Sequence, residues 1–217
     1  EKKHKVHNLI ILDESGSMLS IKKSILSGFN ELVQTLKGIE KEFPEQEHFV
    51  SLVTFNGLGH KTLHFADPVG KLEMIDGSRY KPDSLTPLYD AMGFSFAKLT
   101  KYLENETDYN VLVTVLTDGE ENDSKEFNGW AIKKQIEELK QNNWTFTYIG
   151  TDHDVESFAI SVSIDNTLRF SKTEGGVRAL FEVEKEARSN YSRKIRENSD
   201  TKGGFYDDNE NKRSIKN

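Results

Sequence analysis

The chain has 217 residues, a formal net charge of −7 and no cysteine. Its length favours a single domain with a substantial core, and the missing thiols exclude disulfides, thiol catalysis and cysteine-type zinc sites. The acidic excess argues against nucleic-acid binding, and basic residues scattered among acidic ones argue against a membrane surface. No apolar run approaches the roughly 20 residues that span a bilayer. We therefore expect neither nucleic acid nor a membrane as a partner.

The first part of the chain predicts strands separated by a long helix. Residues 6–12 are apolar nearly throughout, which is typical of a buried parallel strand. Apolar side chains then recur at helical spacing from Ile21 to Ile39. Residues 49–55 alternate and are rich in β formers, so they predict a second strand. A turn at Asn56-Gly57 leads to residues 61–65, which we expect to pair antiparallel at the edge of the sheet.

The second part of the chain alternates helices and strands. After a polar stretch, Thr86-Pro87 is a typical helix start, with Pro87 at the first helical position. The elements predicted after this helix are a strand at 110–117, a helix at 126–142, a strand at 144–149, a short helix at 154–160, a strand at 167–170 and a helix at 177–195. Such alternation predicts an α/β fold with a doubly wound, mostly parallel central sheet, one antiparallel edge strand and helices on both faces. We expect one domain over residues 1–198, followed by a polar, disordered tail over 199–217.

Oxygen-bearing side chains follow the predicted strands where a ligand site is expected. Asp13, Ser15 and Ser17 come directly after the first strand, Thr86 opens a helix, and Asp118 follows the strand that ends at Thr117. In an open α/β sheet, ligands sit outside the carboxyl ends of the strands. Hydroxyl and carboxylate oxygens suit Mg²⁺, and also Mn²⁺ or Ca²⁺, better than zinc or copper. We therefore expect these five residues to form a magnesium site.

The same residues also have simpler interpretations. Asp13, Ser15 and Ser17 could cap the following helix, and Thr86 could be an ordinary N-cap. The acidic stretch Glu120–Asp123 is expected to be a solvated loop. The two tryptophans, Trp130 and Trp144, are expected in the core or partly buried.

Three segments together resemble the von Willebrand factor type A domain. They are Asp-Glu-Ser-Gly-Ser at 13–17, Thr-Pro-Leu-Tyr-Asp-Ala at 86–91 and Leu-Thr-Asp-Gly-Glu-Glu-Asn at 116–122. They match the metal-ion-dependent adhesion site of that family in kind and in order, and the resemblance covers roughly residues 6–190. It implies a Rossmann-like fold in which Ser15 and Ser17 bind the metal directly. Thr86 would then bind it directly or through water, and Asp13 and Asp118 often through water.

The resemblance also implies a function, which is to bind a protein rather than to catalyse a reaction. In similar domains the metal seeks a Glu or Asp carboxylate on a partner protein, and in some of them the last helix shifts when the partner binds. The chain further resembles intracellular bacterial or phage-type proteins built of this domain and little else. We therefore expect a cytoplasmic monomer, although secretion stays open because the chain starts at Glu1 without a Met.

Two other functions stay open at the level of sequence. A Mg²⁺-dependent phosphohydrolase could use Asp13, but such enzymes want a second aspartate two positions later, where this chain has Ser15. No phosphate-binding Gly-x-x-x-x-Gly-Lys-Ser/Thr stretch occurs either. The other alternative is a structural domain with a closed ion site.

Overall fold

The computed structural model describes residues 2–151 and 153–206, which form a sheet of six strands in the order β3-β2-β1-β4-β5-β6. All neighbouring strands are parallel except β2 and β3, so the only antiparallel pairing of this sheet lies at its β3 edge. This confirms the predicted fold class. The strands are β1 (His4–Asp13), β2 (Gln46–Asn56), β3 (Gly59–Pro68), β4 (Tyr109–Leu116), β5 (Trp144–Gly150) and β6 (Asn166–Arg169).

Helices cover both faces of the sheet, which explains why its central strands are apolar on both sides. One core lies under α1 and α5, and the other lies under α2, α3 and α4. The helices are α1 (Lys22–Glu42), α2 (Leu88–Tyr102), α3 (Gly129–Leu139), α4 (Val155–Ser161) and α5 (Glu174–Arg196). A 3₁₀ turn at Gly16–Ile21 joins β1 to α1. No helix in the described part of the chain is long and apolar enough to cross a membrane.

A buried polar network fastens α5 to the middle of the sheet. The guanidinium of Arg188 donates to Glu184 Oε2 at 2.9 Å, to Asn8 Oδ1 at 2.9 Å and to Thr114 Oγ1 at 2.6 Å. Tyr206 donates its hydroxyl proton to Glu184 Oε1 at 2.5 Å. The two charged side chains are only 1% and 2% exposed. The charge of each is therefore compensated inside the protein rather than by water.

Outside the candidate site, the structure differs from the sequence expectations at α3 and in the segment after α5. Trp130 is 73% exposed, so the expectation that it is buried is wrong, whereas Trp144 is buried as expected. Ile132 and Ile136 set the buried face of α3, and a residue two positions before Ile132 points to the opposite side of a helix. After α5, residues 197–200 are exposed, but Phe205 and Tyr206 are buried in the core; the rest of the predicted tail, 207–217, lies outside the described residues.

Candidate functional site

The candidate residues lie where the winding of the sheet reverses. Strand β1 has β2 on one side and β4 on the other, so the connections that leave β1 and β4 diverge and open a crevice at their carboxyl ends. Asp13 is the last residue of β1, and Asp118 follows the end of β4 by two residues. The predicted convergence of the two strand ends is therefore present in the fold.

Asp13 is fully buried and organises the loop around it. Its Oδ1 accepts the backbone N–H of Ser15 at 2.6 Å, and its Oδ2 accepts the hydroxyl of Thr117 at 2.6 Å. The hydroxyl of Tyr80 donates to the Asp13 carbonyl at 2.7 Å. Burial raises the pKa of Asp13 to about 6, although the hydrogen bonds from Thr117 and Ser15 oppose this shift. Asp13 thus fastens the end of β1 to both the Ser15 loop and the end of β4.

Ser15, Ser17 and Asp118 form a continuous row of oxygen atoms. The two serine hydroxyl oxygens are 3.1 Å apart, and Ser17 donates to Asp118 Oδ1 at 2.6 Å. Ser15 and Asp118 are buried, while Ser17 is exposed at the mouth of the crevice. Both ends of the row are therefore buried, and its middle member reaches the surface.

Thr86 lies on a segment that joins both loops. Two residues before it, Ser84 accepts the backbone N–H of Gly16 at 3.0 Å. The N–H of Thr86 donates to Asn122 Oδ1 at 2.8 Å. Gly119, the residue after Asp118, has no Cβ atom, and the Oγ1 of Thr86 lies 3.9 Å from the position that such an atom would occupy. The structure therefore brings Thr86 beside the other candidate residues.

Capping explains these side chains only in part. Within the described residues, neither Ser15 before the 3₁₀ turn nor Pro87 before α2 makes a side-chain capping hydrogen bond. The helix α2 begins at Leu88, one residue later than predicted. Two of the N–H groups in its first turn, which have no partner within the helix, donate to side chains of another loop. Glu121 Oε2 accepts the N–H of Tyr89 at 2.8 Å. The expectations that Thr86 caps this helix and that the whole acidic stretch is simply solvated are therefore wrong.

Sequence reasoning missed three charged residues that lie near the candidate ligands. Glu14 is fully buried, and its Oε1 lies 2.7 Å from Nζ of Lys61. Lys172 Nζ lies 2.6 Å from Asp118 Oδ2. A usable signal for Lys172 existed, because it follows a predicted parallel strand and must lie at the same edge of the sheet as Asp13 and Asp118.

The donor set fits a hard divalent cation. All five predicted ligands offer oxygen, as Mg²⁺, Mn²⁺ and Ca²⁺ require. Asp118 Oδ2 is buried and, among the residues that the structure describes, receives no hydrogen bond of good geometry, so its contact with Lys172 is an ion pair. The described residues contain no group of three or more His, Cys, Asp or Glu side chains able to hold a metal. A metal site here must therefore depend on the hydroxyl groups.

The fold of this chain is similar to that of several solved structures. The von Willebrand factor type A protein from Catenulispora acidiphila is 16% identical, with a TM-score of 0.58, and the match covers 88% of this chain and 43% of that one. The SpRpn10 VWA domain is 10% identical, with a TM-score of 0.57, and the match covers 82% and 94%. The open conformation of the pilus adhesin SpaC from Lactobacillus rhamnosus GG is 12% identical, with a TM-score of 0.59, and the match covers 87% and 30%.

These likenesses show the fold alone, because the identities are low. The chain spans less than half the length of the Catenulispora and Lactobacillus proteins. A comparison with curated proteins found no match. The family profile of the von Willebrand factor type A domain, however, matches residues 9–193, which is most of the chain. The chain therefore belongs to the von Willebrand factor type A domain family.

Proposed function

We propose that this domain binds a divalent metal ion, Mg²⁺ first, and through it the carboxylate of a partner protein. Domains of this family commonly mediate interactions between proteins. The observation that carries the proposal is the row of oxygen atoms from Ser15 through Ser17 to Asp118 at the switch point of the sheet. Two hydroxyls and a carboxylate within hydrogen-bond distance of one another can turn their lone pairs to one cation.

The residues around the ion would have distinct tasks. Ser15 and Ser17 would bind it through neutral oxygen atoms, with Thr86 completing the set. Asp13 would hold the Ser15 loop in place through the hydrogen bond that it accepts from the Ser15 N–H. When bound, the ion would supply a positive charge to an acidic side chain, because mostly neutral ligands leave that charge largely uncompensated.

The surroundings of Asp13 support a binding function over a phosphohydrolase. A nucleophilic carboxylate needs an oxygen that reaches the substrate. Asp13 is fully buried, and both of its carboxylate oxygens accept hydrogen bonds, from Ser15 and Thr117. The position two residues later, where such an enzyme would place its acid/base, is Ser15. The exposed hydroxyl of Ser17 suits contact with a partner better.

Titration calorimetry with Mg²⁺ and Mn²⁺, in the presence and absence of acetate, tests the proposal. We expect the wild type to bind metal and acetate to strengthen the binding, because acetate stands in for the partner's carboxylate. The double variant Ser15→Ala/Ser17→Ala should fold but lose the affinity. Ser20→Ala is the matched control, since its exposed hydroxyl contacts the Ser17 carbonyl rather than the row of oxygen atoms. Metal binding that survives the double variant would refute the site, and indifference to acetate would indicate a closed, structural ion.

A further inference from the structure

Lys172 introduces a positive charge into the candidate site from the connection between the outermost strand β6 and α5. Its Nζ lies 2.6 Å from Asp118 Oδ2, and its side chain is 23% exposed while that of Asp118 is fully buried. The other oxygen of the same carboxylate accepts the hydroxyl of Ser17. The ammonium group is therefore in contact with the carboxylate whose other oxygen belongs to the row of candidate ligands.

The backbone around Lys172 is held firmly, so the contact follows from the fold. Phe170 donates its N–H to the Gly150 carbonyl at the end of β5, at 3.1 Å. On the other side, Thr173 caps α5 by accepting the Gly176 N–H at 3.0 Å. Lys172 lies between these two anchors and reaches Asp118 with its flexible side chain. The side chain can leave the carboxylate without a change in the backbone.

The three carboxylates at this edge of the sheet are compensated in different ways. Asp13 accepts hydrogen bonds from neutral donors. Glu14 has Lys61. Asp118 is the candidate ligand that carries a lysine, and a buried carboxylate is strongly destabilising without such a partner. Two cations held by one carboxylate group repel each other, so an ion bound at Asp118 Oδ1 competes with the ammonium group at Oδ2.

We propose that Lys172 is a tethered cation that competes with a divalent metal ion for Asp118 and thereby lowers the metal affinity of the site. The proposal rests on the proposed function, because it concerns the same site. Lys172 stabilises the metal-free domain by pairing with Asp118. Metal binding breaks this pair and releases the ammonium group toward the mouth of the crevice. The site then fills only at metal concentrations higher than its oxygen atoms alone would require.

Mn²⁺ titration of Lys172→Met tests the competition, because methionine keeps the length of the side chain and removes its charge. We expect binding about tenfold tighter than in the wild type, within the usual range for two groups in contact. Lys61→Met is the matched control, since it also removes a lysine paired with a buried carboxylate at the same edge of the sheet. It should change the affinity about twofold at most, as a change in overall charge would.

The outcomes separate this inference from the proposed function. Equal Mn²⁺ affinity in the wild type and Lys172→Met, lost in Ser15→Ala/Ser17→Ala, would overturn the competition and leave the metal site standing. An equal gain in Lys61→Met would also overturn it, because the effect would then be one of net charge. If neither the wild type nor Lys172→Met bound Mn²⁺, both proposals would fall.

A second measurement needs no metal. In EDTA, Lys172→Met should lower the melting temperature, because it leaves the Asp118 carboxylate unpaired. The same substitution in an Asp118→Asn background should have little effect, since the charge it compensated is already gone. Equal losses in the two backgrounds would refute the pairing. If Lys172→Met failed to fold in EDTA, Lys172→Gln would be used for both measurements with the same expected outcomes.

Discussion

Removal of the Arg188 guanidinium should cost a large part of the stability of the domain. Arg188→Met would leave the buried Glu184 carboxylate with the hydroxyl of Tyr206, and would deprive Asn8 and Thr114 of a donor. Breaking a buried ion pair from one side costs about 3–5 kcal/mol. Against a typical free energy of unfolding of about 5–15 kcal/mol, this is at least about a fifth of the total. Urea unfolding at neutral pH measures the change directly.

The same helix supplies the control. Arg178 and Glu174 also form an ion pair four residues apart on α5, but their side chains are 72% and 78% exposed. Arg178→Met should therefore cost only about 0–0.5 kcal/mol. If Arg188→Met lowered the free energy of unfolding by no more than Arg178→Met does, burial would not be the source of the effect and the reasoning would be refuted.

A double variant separates the loss of a favourable pair from the cost of an orphaned charge. Arg188→Met together with Glu184→Leu removes both buried charges and fills the space with apolar side chains. We expect it to be more stable than Arg188→Met alone, because no uncompensated carboxylate is left inside the protein. A double variant that is less stable than the single one would show that the pair itself, rather than the orphaned charge, dominates.

Two further predictions concern packing and pH. Gly28→Ala should destabilise the domain by about 1–2 kcal/mol in urea unfolding, because its new Cβ would lie 2.0 Å from a Phe181 ring atom, and such overpacking outweighs the helix preference of alanine. Gly38 lies on the same helix, and a Cβ atom there would have nothing within 4 Å. Gly38→Ala should therefore stabilise the domain by about 0.5–1 kcal/mol. Equal effects of the two substitutions on the free energy of unfolding would contradict the packing of Gly28 against Phe181. Burial lowers the pKa of His7 from 6.5 to about 4, so the unfolded chain takes up a proton first and stability falls as the pH drops from 6.5 toward 4. The variant His7→Phe removes the titrating group and can stack on Phe49 as His7 does. Between pH 7.5 and pH 5, its free energy of unfolding should fall by about 2 kcal/mol less than that of the wild type. Equal falls in the two proteins would refute the assignment to His7.

The order and type of the elements were predictable because the sequence patterns follow from burial. Strands covered on both faces are apolar nearly throughout, and the edge strand β3 is more polar and more exposed. The alternation of helices and strands along the chain predicts a doubly wound sheet. In such a sheet, Asp13 and Asp118 can lie side by side where the winding reverses. The local signals were weaker at the helix starts. Thr86-Pro87 has the composition of an N-cap, yet the N–H of Tyr89 in the first turn of α2 donates to Glu121 from another loop.

Long-range contacts were outside the reach of sequence patterns. Nothing in the helical spacing of α5 shows that Arg188 and Glu184 face Asn8 and Thr114 across the core, since both charged residues are typical of a solvated helix face. For Lys172, the sequence indicates the edge of the sheet at which it lies but not its partner. Its contact with Asp118 depends on how far two distant loops project beyond the sheet, which composition does not encode.

The candidate site is assembled from distant parts of the chain, and this has a consequence for folding. The hydrogen bonds from Ser17 to Asp118 and from Thr117 to Asp13 join residues that are 101 and 104 positions apart. They can form only after β1 and β4 have paired, a step that requires closure of a long loop and is slow for parallel strands. The site therefore does not exist in a partly folded chain. Any ligand held by it stabilises only chains in which β1 and β4 have paired, and its binding would report on that step of folding.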